Sequence, residues 1–251
     1  MSLEVKDLHF AYNQNREIVK GVSFNAKEGE CLAVVGVNGV GKTTMLKCIN
    51  RILSPTSGEI LLNGQSVRSM DGTTLAQHIG YVPQGCDFAD ASVFDTVLLG
   101  RKPFIKWDVT HKDLEIVQQV LHRMNLEDYA NRNVNALSGG ERQKVSIARA
   151  LAQQTPILLF DEPTSNLDIK NQLDVLDITR HIVKEQNLTA IVTIHDLNLA
   201  LRFADRFLLM RDGAVYGCGD YSIINPETIR DVYGVEAYVL EHGKHQVVIP
   251  N

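Results

Sequence analysis

Residues 36–44 read Gly-Val-Asn-Gly-Val-Gly-Lys-Thr-Thr, which satisfies the spacing G-x-x-x-x-G-K-[ST] through Gly36, Gly41, Lys42 and Thr43. The stretch follows the apolar run CLAVV and opens a segment of helical length, the context in which this spacing cradles phosphate. Gly36, Gly39 and Gly41 let the backbone curl until its N–H groups converge, while Val37, Asn38 and Val40 present mainly main chain. A helix beginning at Lys42 adds the partial positive charge of its N-terminus. Lys42 brings a full charge to the β- and γ-phosphates, Thr43 a hydroxyl for Mg2+, and Thr44 completes the loop. The chemistry implied is binding of a nucleoside triphosphate together with magnesium.

A second reactive group closes the apolar run ILLFDE at 157–162. Asp161 ends a buried strand and suits Mg2+, directly or through water. Glu162 beside it suits a general base that polarises an attacking water, a role that typically contributes about 10²–10⁴-fold in rate. Three further residues carry weaker signals: His195 at the end of AIVTIH, Gln84 at the end of YVPQ, and Tyr12 in the first strand region. Alone, each reads as packing or surface polarity. The stretch LSGGERQ at 137–143 contains no nucleophile, but Ser138 and Glu141 have the spacing of a helix capping box.

These groups need a scaffold, and the pattern of the chain supplies one. The runs LEVKDLHFAY, VSFNA and CLAVVG read as strands, the first two as an antiparallel pair, followed by a helix KTTMLKCINRIL that stops before Ser54-Pro55. GEILLNG and IGYVPQ read as further strands. From about 86 to 153 the pattern turns helical. Its clearest element is THKDLEIVQQVLHRM, with a capping-box sequence at Thr110 and Asp113 and a shared face of Leu114, Val117, Leu121 and Met124. The runs 157–161 and 190–195 flank a helical stretch carrying Ile169, Leu173, Leu176 and Val183, a βαβ spacing that expects parallel strands. Asp212-Gly213 between RFLLMR and AVYGCG signals a hairpin.

Composition narrows the setting. With 251 residues the chain can bury a large core. A formal net charge of −5 argues against a surface that wraps nucleic acid, because neutralising phosphates needs clustered Lys and Arg. Cys31, Cys48, Cys86 and Cys218 fall at no metal-ligand or CxxC spacing and read as reduced thiols. The N-terminus lacks the basic and apolar regions of a secretory signal, and no apolar run approaches the roughly 20 residues of a membrane span. If the protein serves a membrane, another chain crosses it.

In the order GVNGVGKTT, YVPQ, LSGGERQ, ILLFDEPTSNLD and TIHD, the chain resembles the nucleotide-binding subunit of ATP-binding-cassette (ABC) transporters over essentially its whole length. The resemblance implies an α/β P-loop NTPase fold. A RecA-like core with an antiparallel β lobe would take up 1–85 and 154–251, and an inserted α-helical lobe with the signature motif 86–153. It also implies ATP and Mg2+ as ligands and ATP hydrolysis as the activity. Tyr12 matches the aromatic residue that stacks on adenine. Gln84 matches the glutamine at Mg2+ or the attacking water, and His195 the switch histidine at the γ-phosphate. Asp168, closing SNLD, matches a loop that crosses the dimer interface; Asn166 in that loop is a tolerated departure. LSGGERQ is the family signature, through which Ser138, Gly139, Gly140 and Glu141 would complete the ATP site of a second copy. The implied partners are that copy, permease subunits spanning the membrane, and a substrate-binding protein, with the chain peripheral on the cytoplasmic face.

The segment VLLGRKPFIKW at 97–107 resembles GRxP sequences of importer ATPases for iron-siderophore, haem and cobalamin. Its residues, read without the resemblance, suggest Arg101 and Lys102 as solvated charges, and Phe104 and Trp107 as packing. Zinc or manganese importer ATPases and a soluble ATPase of iron-sulfur cluster assembly stand as alternatives.

Overall fold

The computed structural model describes residues 2–13, 16–85, 87–165, 167–242 and 245–251, so Cys86 and Asn166 lie outside the described residues. The first part of the chain forms β1 (Leu3–Asn13), β2 (Arg16–Ala26), β3 (Cys31–Val35), α1 (Lys42–Ile49), β4 (Ser57–Leu62) and β5 (Gln65–Ser66). The middle forms α2 (Gly72–His78), β6 (Ile79–Val82), α3 (Val93–Leu98), α4 (His111–Arg123), α5 (Gly139–Ala152), β7 (Ile157–Asp161) and α6 (Ile169–Glu185). The last part forms β8 (Thr189–Thr193), α7 (Leu197–Phe203), β9 (Arg206–Arg211), β10 (Ala214–Gly219), α8 (Pro226–Tyr233), β11 (Ala237–His242) and β12 (His245–Pro250). Two compact units result: Met1–Met70 with Arg180–Asn251, and Asp71–Thr179.

In the first unit an antiparallel sheet runs β2-β1-β4-β5, as the alternating N-terminal runs predict. A second set of strands runs β10-β9-β3-β8, with β3 parallel to both β8 and β9. All five residues of β3 are buried, which explains its unbroken apolar sequence: a parallel strand covered on both faces has no polar side. The register pairs Val34 with Thr193 and Val35 with Leu209. The loop at 36 and the residues after Thr193 therefore leave from the same carboxyl edge, where open parallel sheets bind ligands. Asp212 and Gly213, at φ 51° and 86°, make the predicted tight turn between β9 and β10.

α1 ends at Ile49, earlier than the sequence suggests. Arg51 turns left-handed at φ 54°, and Ile52 N–H closes back on the Lys47 carbonyl at 2.9 Å. The Arg51 guanidinium then donates to the Val67 and Met70 carbonyls, so the run Asn50–Leu53 serves as a cap.

The second unit pairs β6 with β7 in parallel and carries α2 to α5. α4 has the capping box that Thr110 and Asp113 predict. Its buried stripe is wider than expected, adding Ile116 and Val120 to Val117, Leu121 and Met124, while Leu114 is only half-buried. On α6 the inward residues are Val175, Leu176, Thr179, Ile182 and Val183. Ile169, expected on that face, is exposed because it opens the first turn directly after the Asp168 cap.

Candidate functional site

In the first unit the loop 36–41 joins buried β3 to α1. Gly41 is the residue before the helix, at φ 105°, and a Cβ there would lie 2.9 Å from the Ile18 carbonyl oxygen. A side chain would be strained twice, by the dihedral and by the neighbour, so the glycine at this point of the loop has a steric cause in this chain. Val40 is buried and Val37 exposed, so one anchors the loop while the other leaves its main chain to set the curve. Lys42 is 5% exposed; its Nζ donates to the Gly36 carbonyl at 2.7 Å and the Val37 carbonyl at 3.0 Å, which holds the ammonium back along the loop. No acidic residue stands in the first turn of α1, so nothing there opposes an anion.

Tyr12 also belongs to this unit. Its ring stands edge-on to Phe10 at 4.9 Å between centroids, and its hydroxyl lies 3.5 Å from Thr44 Oγ1. At 61% exposure the ring is an aromatic face held near the first turn of α1 yet open to solvent, a placement suited to stacking. His195 follows β8 and is exposed; the next residue, Asp196, caps α7 by accepting from the Asn198 and Leu199 amides.

The second unit gathers the carboxylates. Asp161 is buried at the end of β7, and Glu162 beside it is half-buried at φ 48°. A left-handed glutamate is uncommon and costs of order 1–3 kcal/mol unless its surroundings hold it. They do: the Glu162 carbonyl accepts from the Ser165 amide and hydroxyl, and its side chain accepts from Gln84 Nε2 at 2.6 Å. Tyr81 donates to Asp161 Oδ2 at 3.2 Å, and burial and the neighbouring carboxylate push the phenol pKa up, so it stays a donor. Gln84 of YVPQ thus stands together with Asp161 and Glu162 of ILLFDE, and Tyr81 is a member that sequence reasoning missed.

At the N-terminus of α5, Ser138 and Glu141 form the capping box in full. Ser138 Oγ accepts from the Glu141 amide, while Glu141 Oε2 takes the Ser138 amide at 2.8 Å and hydroxyl at 2.7 Å. These bonds, led by the Ser138 hydroxyl, hold the Glu141 carboxyl below its ordinary range. Asp168 accepts from the Asn171 amide and from its side-chain nitrogen at 2.9 Å. The Asn171 side chain lies so close over Gly140 that an added Cβ would stand 3.0 Å from its Cγ. Asp168 and Gly140 of the signature stretch are linked through Asn171.

The segment 100–107 corrects the reading of its side chains. Arg101 is not solvated: it is 5% exposed, pairs with buried Asp113 at 2.9 Å and donates to the Ala152 carbonyl at the end of α5. The Thr110 hydroxyl first, then this guanidinium, keeps the Asp113 carboxyl below its usual pKa. Its guanidinium also covers the Phe104 ring at 4.4 Å. Gly100 lets this segment lie against α5, since a Cβ there would lie 2.1 Å from the Arg149 carbonyl oxygen. Trp107, expected to pack, is 99% exposed. Lys102 is exposed as read, and Phe104 packs one ring face under Arg101 while staying 37% exposed. The signal missed was the capping-box aspartate of α4, which has a second carboxylate oxygen to give to a cation elsewhere in the chain.

A family model for ABC transporters matches residues 19–165. Among curated proteins, an ABC transporter ATP-binding protein of Methanocaldococcus jannaschii is 52% identical over 250 residues, covering all of this chain and 98% of its own length. A petrobactin import ATP-binding protein of Bacillus anthracis is 36% identical over 242 residues, covering 95% of this chain and 88% of its own length. Among solved structures, a chain from an inward-facing transporter described as of metal-chelate type superposes with TM-score 0.86 at 30% identity, covering 100% of this chain and 97% of that one. The chain belongs to the ABC transporter family and is an ABC-type ATPase with the P-loop NTPase fold.

Proposed function

We propose that this member of the ABC transporter family is the ATP-hydrolysing subunit of an importer for iron-siderophore, haem or cobalamin-type cargo. The observation that carries the catalytic part is the Gln84–Glu162 hydrogen bond at 2.6 Å, beside buried Asp161, on a glutamate held in a left-handed conformation. A carboxylate fixed in this way can orient water instead of rotating freely. The import direction rests on the petrobactin import relative and on GRKP at 100–103.

In this reading Gly36, Val37, Asn38, Gly39, Val40, Gly41, Lys42, Thr43 and Thr44 hold the triphosphate, Tyr12 stacks on the base, and His195 senses the γ-phosphate. Glu162 takes the proton of the attacking water, and Gln84 holds that carboxylate in place. Thr43, Asp161 and Gln84 would hold Mg2+; their donors are a hydroxyl, a carboxylate and an amide oxygen, the hard oxygens this ion takes. The ion supplies charge neutralisation at the phosphates.

ABC ATPases bind ATP, dimerise and pair with transmembrane permeases. Ser138, Gly139, Gly140, Glu141 and Asp168 are assigned to the ATP site of a second copy. ATP touching both copies favours a closed dimer, and loss of the γ-phosphate favours an open one, because only a ligand with differential contact shifts such an equilibrium. The helical segment 86–153 carries that motion to permease subunits, with the chain peripheral on the cytoplasmic face and a substrate-binding protein delivering cargo. Expressed with its neighbouring genes and purified from membranes, the chain is expected to bring down a permease. Recovery with soluble scaffold proteins alone would overturn the importer reading.

A further inference from the structure

Two bonds reach the end of β7 from the strand beside it. Gln84 meets Glu162, and Tyr81 meets Asp161 Oδ2 at 3.2 Å. The register explains the second. Tyr81 stands opposite Leu159 in the parallel pair, so Asp161, two residues on, shares its face at a diagonal position. Such neighbours lie within reach of an aromatic side chain and beyond a short polar one. Tyr81 also lines a cavity of about 500 Å3 together with Ala76, Pro103, Arg149 and Gln153.

We propose that Tyr81 is a positioning residue for Mg2+: its phenol, donating to Oδ2, sets the rotamer of the Asp161 carboxylate so that the carboxylate meets the ion without first having to be ordered. The inference rests on the assignment of Asp161 to the metal. Outer partners of metal-holding carboxylates typically change metal affinity or activity by about 10–100-fold when removed. A single neutral donor belongs at the lower end of that range.

The test uses the full chain and Tyr81→Phe, which keeps the ring in the cavity wall and deletes one oxygen. Mn2+ binding is read by electron paramagnetic resonance in the presence of a non-hydrolysable ATP analogue, and analogue affinity is read separately in EDTA. Expected is about tenfold weaker Mn2+ binding with unchanged affinity in EDTA, and an equally raised Mg2+ requirement for hydrolysis. A merely structural role would weaken binding in EDTA as well, and that result overturns the proposal. Asp161→Asn separates the premise from the inference. If Asp161→Asn binds Mn2+ as the wild type does, the metal assignment of Asp161 falls and Tyr81 with it. If Asp161→Asn weakens Mn2+ and Tyr81→Phe does not, only the role of Tyr81 falls.

Discussion

α1 and α5 both begin at glycine-rich stretches assigned to phosphate, yet their N-termini are built in opposite ways. α1 starts from Gly41, which has no side chain to cap the helix, and carries no acidic residue in its first turn but a lysine at its first position. That combination works against helix stability, since a glycine at the cap forgoes a few tenths of a kcal/mol relative to a capping side chain and a cation opposes the dipole. α5 starts from Ser138 with a complete capping box, and its own carboxylate, Glu141, satisfies the end. The first terminus gives up local stability to keep its amides directed at an outside anion. The second is locally complete, so a phosphate reaching Ser138 competes with Glu141 for the same hydroxyl.

The contrast can be broken at several points. The largest effect belongs to Glu162→Gln, expected to slow ATP turnover by about 10²–10⁴-fold while ATP stays bound. Size-exclusion chromatography with light scattering should then show an ATP-dependent dimer, the state in which the proposed function has both termini hold one nucleotide; full turnover would remove Glu162 from the base position. Ser138→Arg tests the capped terminus alone. Hydrolysis should fall by about 10²–10³, the cost of losing one donor to developing charge, with ATP binding to the monomer unchanged by titration. Loss of monomer binding would mean that α5 serves its own nucleotide.

Lys42→Ala tests the uncapped terminus. A hydrogen bond to a charged group contributes about 1.5–3 kcal/mol, so nucleotide affinity should drop roughly 10–100-fold by calorimetry, and an unaltered affinity would contradict the phosphate-loop assignment. The smallest effect is that of Glu141→Gln on unfolding by urea, about 0.3–1 kcal/mol at neutral pH from the lost charge at the helix start. Because the Glu141 carboxyl is held below its ordinary value, the stabilisation is present above about pH 4.3 and disappears as pH falls through the depressed value. A difference between wild type and variant that grew in acid would reverse the sign and refute the box as the cause.

Legibility differed by the range of the interaction. The phosphate loop, the two capping boxes at Thr110 and Ser138, and the Asp212-Gly213 turn could all be read, because each is decided within a few consecutive residues. The early end of α1 could not, since Arg51 is held by carbonyls of Val67 and Met70. Nor could the environment of Arg101, whose partners Asp113 and Ala152 lie 12 and 51 residues further along the chain. Breaking that buried pair would cost roughly 3–5 kcal/mol, a figure that a run such as GRKP gives no hint of.

The sequence by itself determined which groups this protein can use: a lysine and a hydroxyl behind a glycine loop, two adjacent carboxylates closing an apolar strand, and a serine ahead of a helix. Side-chain chemistry and short-range backbone geometry are properties of consecutive residues. Only the tertiary structure decided which of these groups are held still. Gln84 on Glu162, Tyr81 on Asp161 and Asn171 over Gly140 are contacts between residues separated by 78, 80 and 31 positions. Their orientation comes from strand register and burial, which depend on where the whole chain places its apolar surface.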